Sequence, residues 1–307
     1  MAYKVSKSFS ETPKRGDPLK QLTVISGKGG TGKTSITAAF ASLAKNAVLA
    51  DCDVDAADLH LILKPEIKKT FVFHGSKIAQ IDKDKCNDCK KCYDSCRFDA
   101  IDKVITLIPG VCEGCGVCAY VCPVEAITMV DRDSGLAYLS ETRFGPMAHA
   151  VLNTAEEASG KLVTIVRNNA KQLAETNEKD LILIDGPPGI GCPVIASITG
   201  VDLVLIVTEP TLSAIHDLER IHEVAHHFNI PSTVCINKYT INPENTKIIE
   251  KYCKTNNIPM VGKLPYDNVM TKAMIQEQSV IEFSDGALSH DLRQMWKKML
   301  EVLKQNG

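Results

Sequence analysis

No surplus of either charge marks this sequence: 35 Lys and Arg stand against 37 Asp and Glu, a net of −2. The broad basic field that draws in nucleic acid is therefore missing, and no nucleic-acid partner is expected. No apolar run approaches the roughly 18 residues of a membrane span, so the reading contains no transmembrane helix. The first stretch, 1–20, is polar and lysine-rich without an apolar core. It is read as a flexible leader rather than a secretory signal, which makes the expected location cytoplasmic. What the chain does have is 44% hydrophobic residues over 307 positions, enough for one full core and a small second one. It also has 12 cysteines. In a chain of this size without a signal, metal ligation explains them better than disulfides.

One stretch organises the rest. Gly27, Lys28, Gly29, Gly30, Thr31, Gly32, Lys33, Thr34 and Ser35 fit G-x-x-x-x-G-K-[ST], the loop whose backbone N–H groups surround a nucleotide's phosphates. Glycine is needed where the backbone turns through positive φ and comes close to an anion. The flanks agree: Leu22 to Ile25 is a buried-strand run, and Ser35 to Leu43 reads as a helix whose N-terminus faces the phosphates. Lys28, directly after the first glycine, makes the loop K-G-G-x-G-K-[ST]. In this the chain resembles the MinD-like ATPases, which include the nitrogenase iron protein and the Mrp-type cluster-carrier ATPases. The resemblance implies a dimer, homomeric or with a similar ATPase, in which Lys28 reaches the partner's nucleotide.

Further carboxylates follow apolar runs. Ala47 to Ala50 leads into Asp51, Asp53 and Asp55, with Asp58 close behind. Carboxylates at a strand's C-terminal end share the rim of the phosphate loop. By resemblance this is switch I, with Asp53 orienting the attacking water. Leu181 to Ile184 ends in Asp185, the Walker B arrangement in which Asp185 and Thr34 hold Mg²⁺. The next residues, Gly186 to Gly189, resemble switch II of the cluster carriers. Cys192 beyond them is read as a small buried residue, with cluster binding across a dimer as the alternative. Asn237-Lys238-Tyr239-Thr240 lacks the aspartate that reads guanine, so adenine is expected. By resemblance Asn237 contacts it, and the loop with Pro265 and Asp267 closes over its other side.

Between these parts lies an internal repeat. Cys86, Cys89, Cys92 and Cys96 form C-x2-C-x2-C-x3-C, and Cys112, Cys115, Cys118 and Cys122 repeat it. This is bacterial two-cluster ferredoxin spacing, in which each fourth cysteine ligates the other cluster. The expected sets are Cys86, Cys89, Cys92 and Cys122 for one [4Fe–4S] cluster, and Cys112, Cys115, Cys118 and Cys96 for the other. Zinc prefers separated ligand pairs around one ion. Arg97 stands where the pattern would have proline, whereas Pro123 conforms. Elsewhere, Lys64 to Lys85 is weakly patterned, with a strand expected only at Thr70 to Phe73, and Asp133-Ser134-Gly135 is read as a turn. The formal H-E-x-x-H at His222 to His226 is assigned to a solvated helix face rather than zinc. The last helix, Ala287 to Lys304, is expected to pack on its own domain rather than on a membrane.

The expected fold is α/β, a mostly parallel doubly wound P-loop NTPase sheet (21–80 and 131–307) interrupted by a small α+β bacterial-ferredoxin domain (81–130). The expected activity is ATP hydrolysis coupled to electron transfer or metallocofactor handling, with ATP, Mg²⁺ and two [4Fe–4S] clusters as cofactors. The expected partner is a redox or client metalloprotein. A cluster carrier without a redox role and a MinD-like positioning ATPase are the alternatives.

Overall fold

The computed structural model describes residues 19–153, 156 and 160–305; the leader up to residue 18 lies outside the described residues. Chain order begins with β1 (Lys20–Ser26), the glycine-rich loop, α1 (Lys33–Leu43), β2 (Ala47–Asp51) and the short α2 (Leu59–Leu63). A long strand, β3 (Glu66–Ile81), leads into the cysteine segment, which holds two one-turn helices, α3 (Lys91–Asp94) and α4 (Val117–Tyr120). The chain returns through β4 (Ile127–Thr142) and β5 (Gly145–Leu152). It then alternates through α5 (Gly160–Thr176), β6 (Leu181–Pro188), α6 (Cys192–Ile198), β7 (Leu203–Thr208) and α7 (Leu212–His227). After β8 (Ser232–Ile236), α8 (Pro243–Thr255) and β9 (Met260–Lys263) come α9 (Val269–Ile275), α10 (Val280–Phe283) and α11 (Ala287–Gln305).

Among the described residues nine strands form one sheet in the order β3-β4-β5-β2-β6-β1-β7-β8-β9. From β5 to β9 every neighbouring pair is parallel; only β3, β4 and β5 pair antiparallel. The apolar runs become central strands because both faces are covered. Along β6, Ile182 and Ile184 enter the core shared with α5 to α8, while Leu181 and Leu183 enter the core under α1 and α11. The stripe of α11 (Leu288, Leu292, Met295, Trp296, Met299, Leu303) is buried in that second core, with Trp296 and Phe40 ring centroids 4.9 Å apart. Among the described residues no helix is long and apolar enough to cross a membrane.

Two expectations need correction. The stretch 64–85 is not weakly structured: β3 runs through it for 16 residues, paired along its length with β4. And 133–135 is not a turn but the middle of β4, opposite irregularities in β3 at Phe73/His74 and His74/Lys77. These bulges break the period-two alternation, and β3 is an exposed edge strand, so its sequence carries no clean strand signature. Ala79 and Ile127, at the inner ends of the two strands, join Ala100, Ile101, Ile105, Cys92 and Cys112 in a third, small core. The cysteine segment is thus mounted on the end of the ribbon.

Candidate functional site: a phosphate loop and a cysteine segment

Parallel strands bring their C-terminal ends to one rim, and there β1, β2 and β6 deliver the loop, Asp51 and Asp185. Asp51 and Asp185 are direct register partners. Gly30 and Gly32 hold φ of 78° and 90°. At Gly32 a Cβ would come within 2.3 Å of Asn237 Nδ2, so this glycine serves both the turn and the close approach.

Beneath the loop lies a buried charge cluster. The Lys33 ammonium donates to Asp185 Oδ1 at 3.0 Å and Asp53 Oδ2 at 3.2 Å. The Thr34 hydroxyl donates to Asp185 Oδ2 at 2.7 Å, and Thr37 donates to Asp185 Oδ1 at 3.0 Å. Burial alone would discharge Lys33, but Asp185, Asp53 and Asp51 outweigh it and raise its pKa. Burial raises the Asp53 pKa, with Lys33 opposing it. Burial, then the Asp185 charge, lifts Asp51 well above the carboxylate range. One Asp51 oxygen accepts from the Asp53 N–H at 3.2 Å, and the other lacks a partner among the described residues. Asp53 is buried at 6% exposure, whereas Asp55 and Asp58 are exposed. The four neighbouring acids therefore divide two and two.

Lys28 points back into its own chain, where it meets Glu209 Oε1 at 2.7 Å. Lys238 meets Glu209 Oε2 at 3.0 Å and donates to the Gly30 carbonyl at 2.9 Å. Asn237 is 2% exposed and turned inward; its Nδ2 donates to the Thr31 carbonyl at 2.7 Å, and its Oδ1 accepts from the Lys238 N–H. The Tyr266 N–H donates to Thr240 Oγ1 at 3.0 Å, which ties the loop carrying Pro265 and Asp267 to the one carrying Asn237. Asp267 accepts from the Val269 N–H at 2.9 Å, at the start of α9. Thr37, Lys238 and Glu209 were given no role in the sequence reading. Thr37, one helical turn after Lys33, and Glu209, just past an apolar run, were both visible as rim positions.

The cysteine segment contains two hollows. Cys86, Cys89, Cys92 and Cys122 line one, with Lys90, Ile105 and Ile127. Cys96, Cys112, Cys115 and Cys118 line the other, with Phe98, Leu107 and Met129. Each run therefore contributes its fourth cysteine to the hollow of the other run. The Ala100 N–H donates to Cys96 Sγ at 3.3 Å and the Ala126 N–H to Cys122 Sγ at 3.2 Å, equivalent bonds in the two repeats. Among the described residues no three His, Cys, Asp or Glu are gathered tightly enough to hold a single metal ion. Cys192 is exposed at the start of α6, not buried as expected.

The CobQ/CobB/MinD/ParA nucleotide binding domain model matches residues 22–280. The chain belongs to that family. An uncharacterized protein of Methanocaldococcus jannaschii, MJ0578, is 33% identical over 288 residues, 93% of this chain and 98% of its own. The septum site-determining protein MinD of Pyrococcus horikoshii, solved in complex with Mg-ADP, superposes with a TM-score of 0.58 at 16% identity, over 94% of this chain and 99% of that one. This second likeness shows a shared CobQ/CobB/MinD/ParA fold. A stretch of 49 residues, 16% of this chain and 60% of the other, is 49% identical to the pyruvate synthase subunit PorD of Methanothermobacter marburgensis.

Proposed function

We propose that this chain is a dimeric ATP-hydrolysing switch that carries two [4Fe–4S] clusters and couples its nucleotide cycle to electron transfer or metallocofactor handling. The reading rests above all on the exchange of fourth cysteines between the hollows, which is the two-cluster ferredoxin pattern. The donor sets suit such clusters: four thiols around each hollow, mostly apolar lining otherwise, and an amide N–H aimed at one sulfur in each. Clusters so held supply one-electron chemistry. The 49-residue likeness to PorD supports the same reading.

At the nucleotide, Lys33 and the N–H groups of Gly27 to Ser35 neutralise the β- and γ-phosphates. Lys33 must leave Asp185 and Asp53 to do so. Released, Asp185 and Thr34 are free to hold Mg²⁺, which adds charge neutralisation when bound, and Asp53 is free to orient the attacking water. Lys28 adds its charge to the nucleotide of a partner subunit. Asn237, with the loop of Pro265 and Asp267, frames an adenine base. Phosphoryl transfer of this kind depends on positioning and electrostatics. Asp53 and Asp185 lie at the head of the segments that lead to α2 and α6, so γ-phosphate loss releases both switch segments together.

The deciding experiment combines metal analysis, EPR of the dithionite-reduced protein with and without MgATP, and the hydrolysis rate beside Lys33→Ala. About eight irons per chain and an ATP-dependent change in the spectrum are expected. Zinc in place of iron, or hydrolysis indifferent to Lys33→Ala, would overturn the reading. A cluster-carrier role is favoured by the exposed Cys192 and is tested by ATP-dependent cluster transfer to an apo-protein. A membrane-positioning role gains nothing from α11, whose apolar stripe is already buried.

A further inference from the structure

Glu209 stands at the end of β7, and two cations converge on its carboxylate. Lys28 lies 2.7 Å from one oxygen and Lys238 lies 3.0 Å from the other. The side chain is 13% exposed, so solvent screens these contacts only partly. Burial works to raise the Glu209 pKa, but the two lysines hold it below the usual range. Without Glu209, the Lys28 ammonium would retain, among the described residues, only the hydroxyls of Thr211 and Ser213, at 3.4 and 3.5 Å, the outer limit of a hydrogen bond. Among the described residues the carboxylate is thus the one strong anchor that keeps Lys28 against its own chain. The same carboxylate steadies Lys238, which holds the Gly30 carbonyl at 2.9 Å.

We propose that Glu209 is a positioning residue that retains Lys28 within its own subunit, so that ATP-dependent association must first break the Lys28–Glu209 pair. This rests on the reading that Lys28 serves a partner's nucleotide. A lysine cannot hold Glu209 and a phosphate of another subunit together, so the pair and the dimer compete. Each symmetric dimer breaks two such pairs, and any change per subunit enters the dimer Kd squared. Lys28 is 36% exposed, which limits the effect to about threefold per subunit and about tenfold in the dimer Kd.

The test measures dimer Kd by sedimentation of the iron-loaded chain with a non-hydrolysable ATP analogue and Mg²⁺. Wild type is compared with Glu209→Gln, Glu209→Asp, and Glu209→Gln in a Lys28→Ala background. Glu209→Gln should associate about tenfold more tightly, Glu209→Asp should stay near wild type, and the gain should vanish without Lys28. A purely structural role would loosen the loop and weaken association, and would leave any gain independent of Lys28. If wild type associates but Glu209→Gln is equal or weaker, or its gain survives Lys28→Ala, the inference is overturned while the dimer reading stands. If wild type never associates, the reading of Lys28 fails and takes the inference with it. Should Glu209→Gln not fold, Glu209→Ser carries the same comparison.

Discussion

His149 offers a pH test of how the β2–β5 side of the sheet is built. It is 5% exposed and lies in register with Asp51. Its Nε2 is 2.9 Å from Ser140 Oγ, its ring stacks on Tyr138 at 4.9 Å, and its Nδ1 has no partner among the described residues. Burial, reinforced by the neighbouring His60, pushes its pKa from 6.5 down to about 4. A histidine depressed in this way stabilises the fold above pH 6.5, and that stability is lost as pH falls from 6.5 toward 4. Between about pH 8 and about pH 5.5 the unfolded chain takes up this proton and the folded one does not, a loss of about 1.4 kcal/mol. Raising the folded pKa by about one unit changes that figure by only about 0.2 kcal/mol. His149→Phe keeps a ring on Tyr138 but cannot titrate. It leaves the Ser140 hydroxyl unpaired, so it should be less stable by about 1 kcal/mol at about pH 8. The decisive quantity is the pH difference: the variant should lose about 1.4 kcal/mol less than wild type on acidification. Urea unfolding followed by the fluorescence of Trp296, the single tryptophan, measures it. Equal losses in the two proteins would refute the reasoning.

Other outcomes follow from the site. Gly32→Ala forces a Cβ to 2.3 Å from Asn237 Nδ2 at φ 90°, so MgATP affinity by calorimetry should fall about tenfold or more; an unchanged Kd would remove Asn237 as the brace of the loop. Cys96→Ser should abolish the same EPR signal as Cys118→Ser, and Cys122→Ser the same signal as Cys92→Ser. Loss of the same signal from Cys96→Ser and Cys92→Ser would refute the exchange of fourth cysteines. In iron-loaded protein, Cys192 should be the fast-reacting thiol, because burial pushes Cys235 up to about 12 and Cys253 up to about 11; a fast thiol persisting in Cys192→Ala would refute this.

Much of the fold is legible in the chain because its central strands are buried on both faces. Leu22 to Ile25, Leu181 to Ile184 and Val234 to Ile236 read as apolar runs, broken only by Thr23, and each is a strand with cores on either side. The edge is harder to read. β3 carries exposed Ile67, Phe71 and Val72 among lysines, and its bulges shift the alternation. Cys192 was misjudged because a small thiol gives no sign of its exposure. Glu209 was passed over because a single glutamate after a strand has no motif around it.

The sequence by itself determined which apolar runs become central strands, the phosphate loop and the cysteine repeat, since each is a short-range pattern within a few tens of residues. Only the tertiary structure decided which side chains meet. Asp53 and Asp185 converge on Lys33 across 20 and 152 positions, and Lys28 turns toward Glu209 instead of outward. Such pairings depend on strand order and register, which a parallel sheet sets through long crossovers that no local pattern encodes.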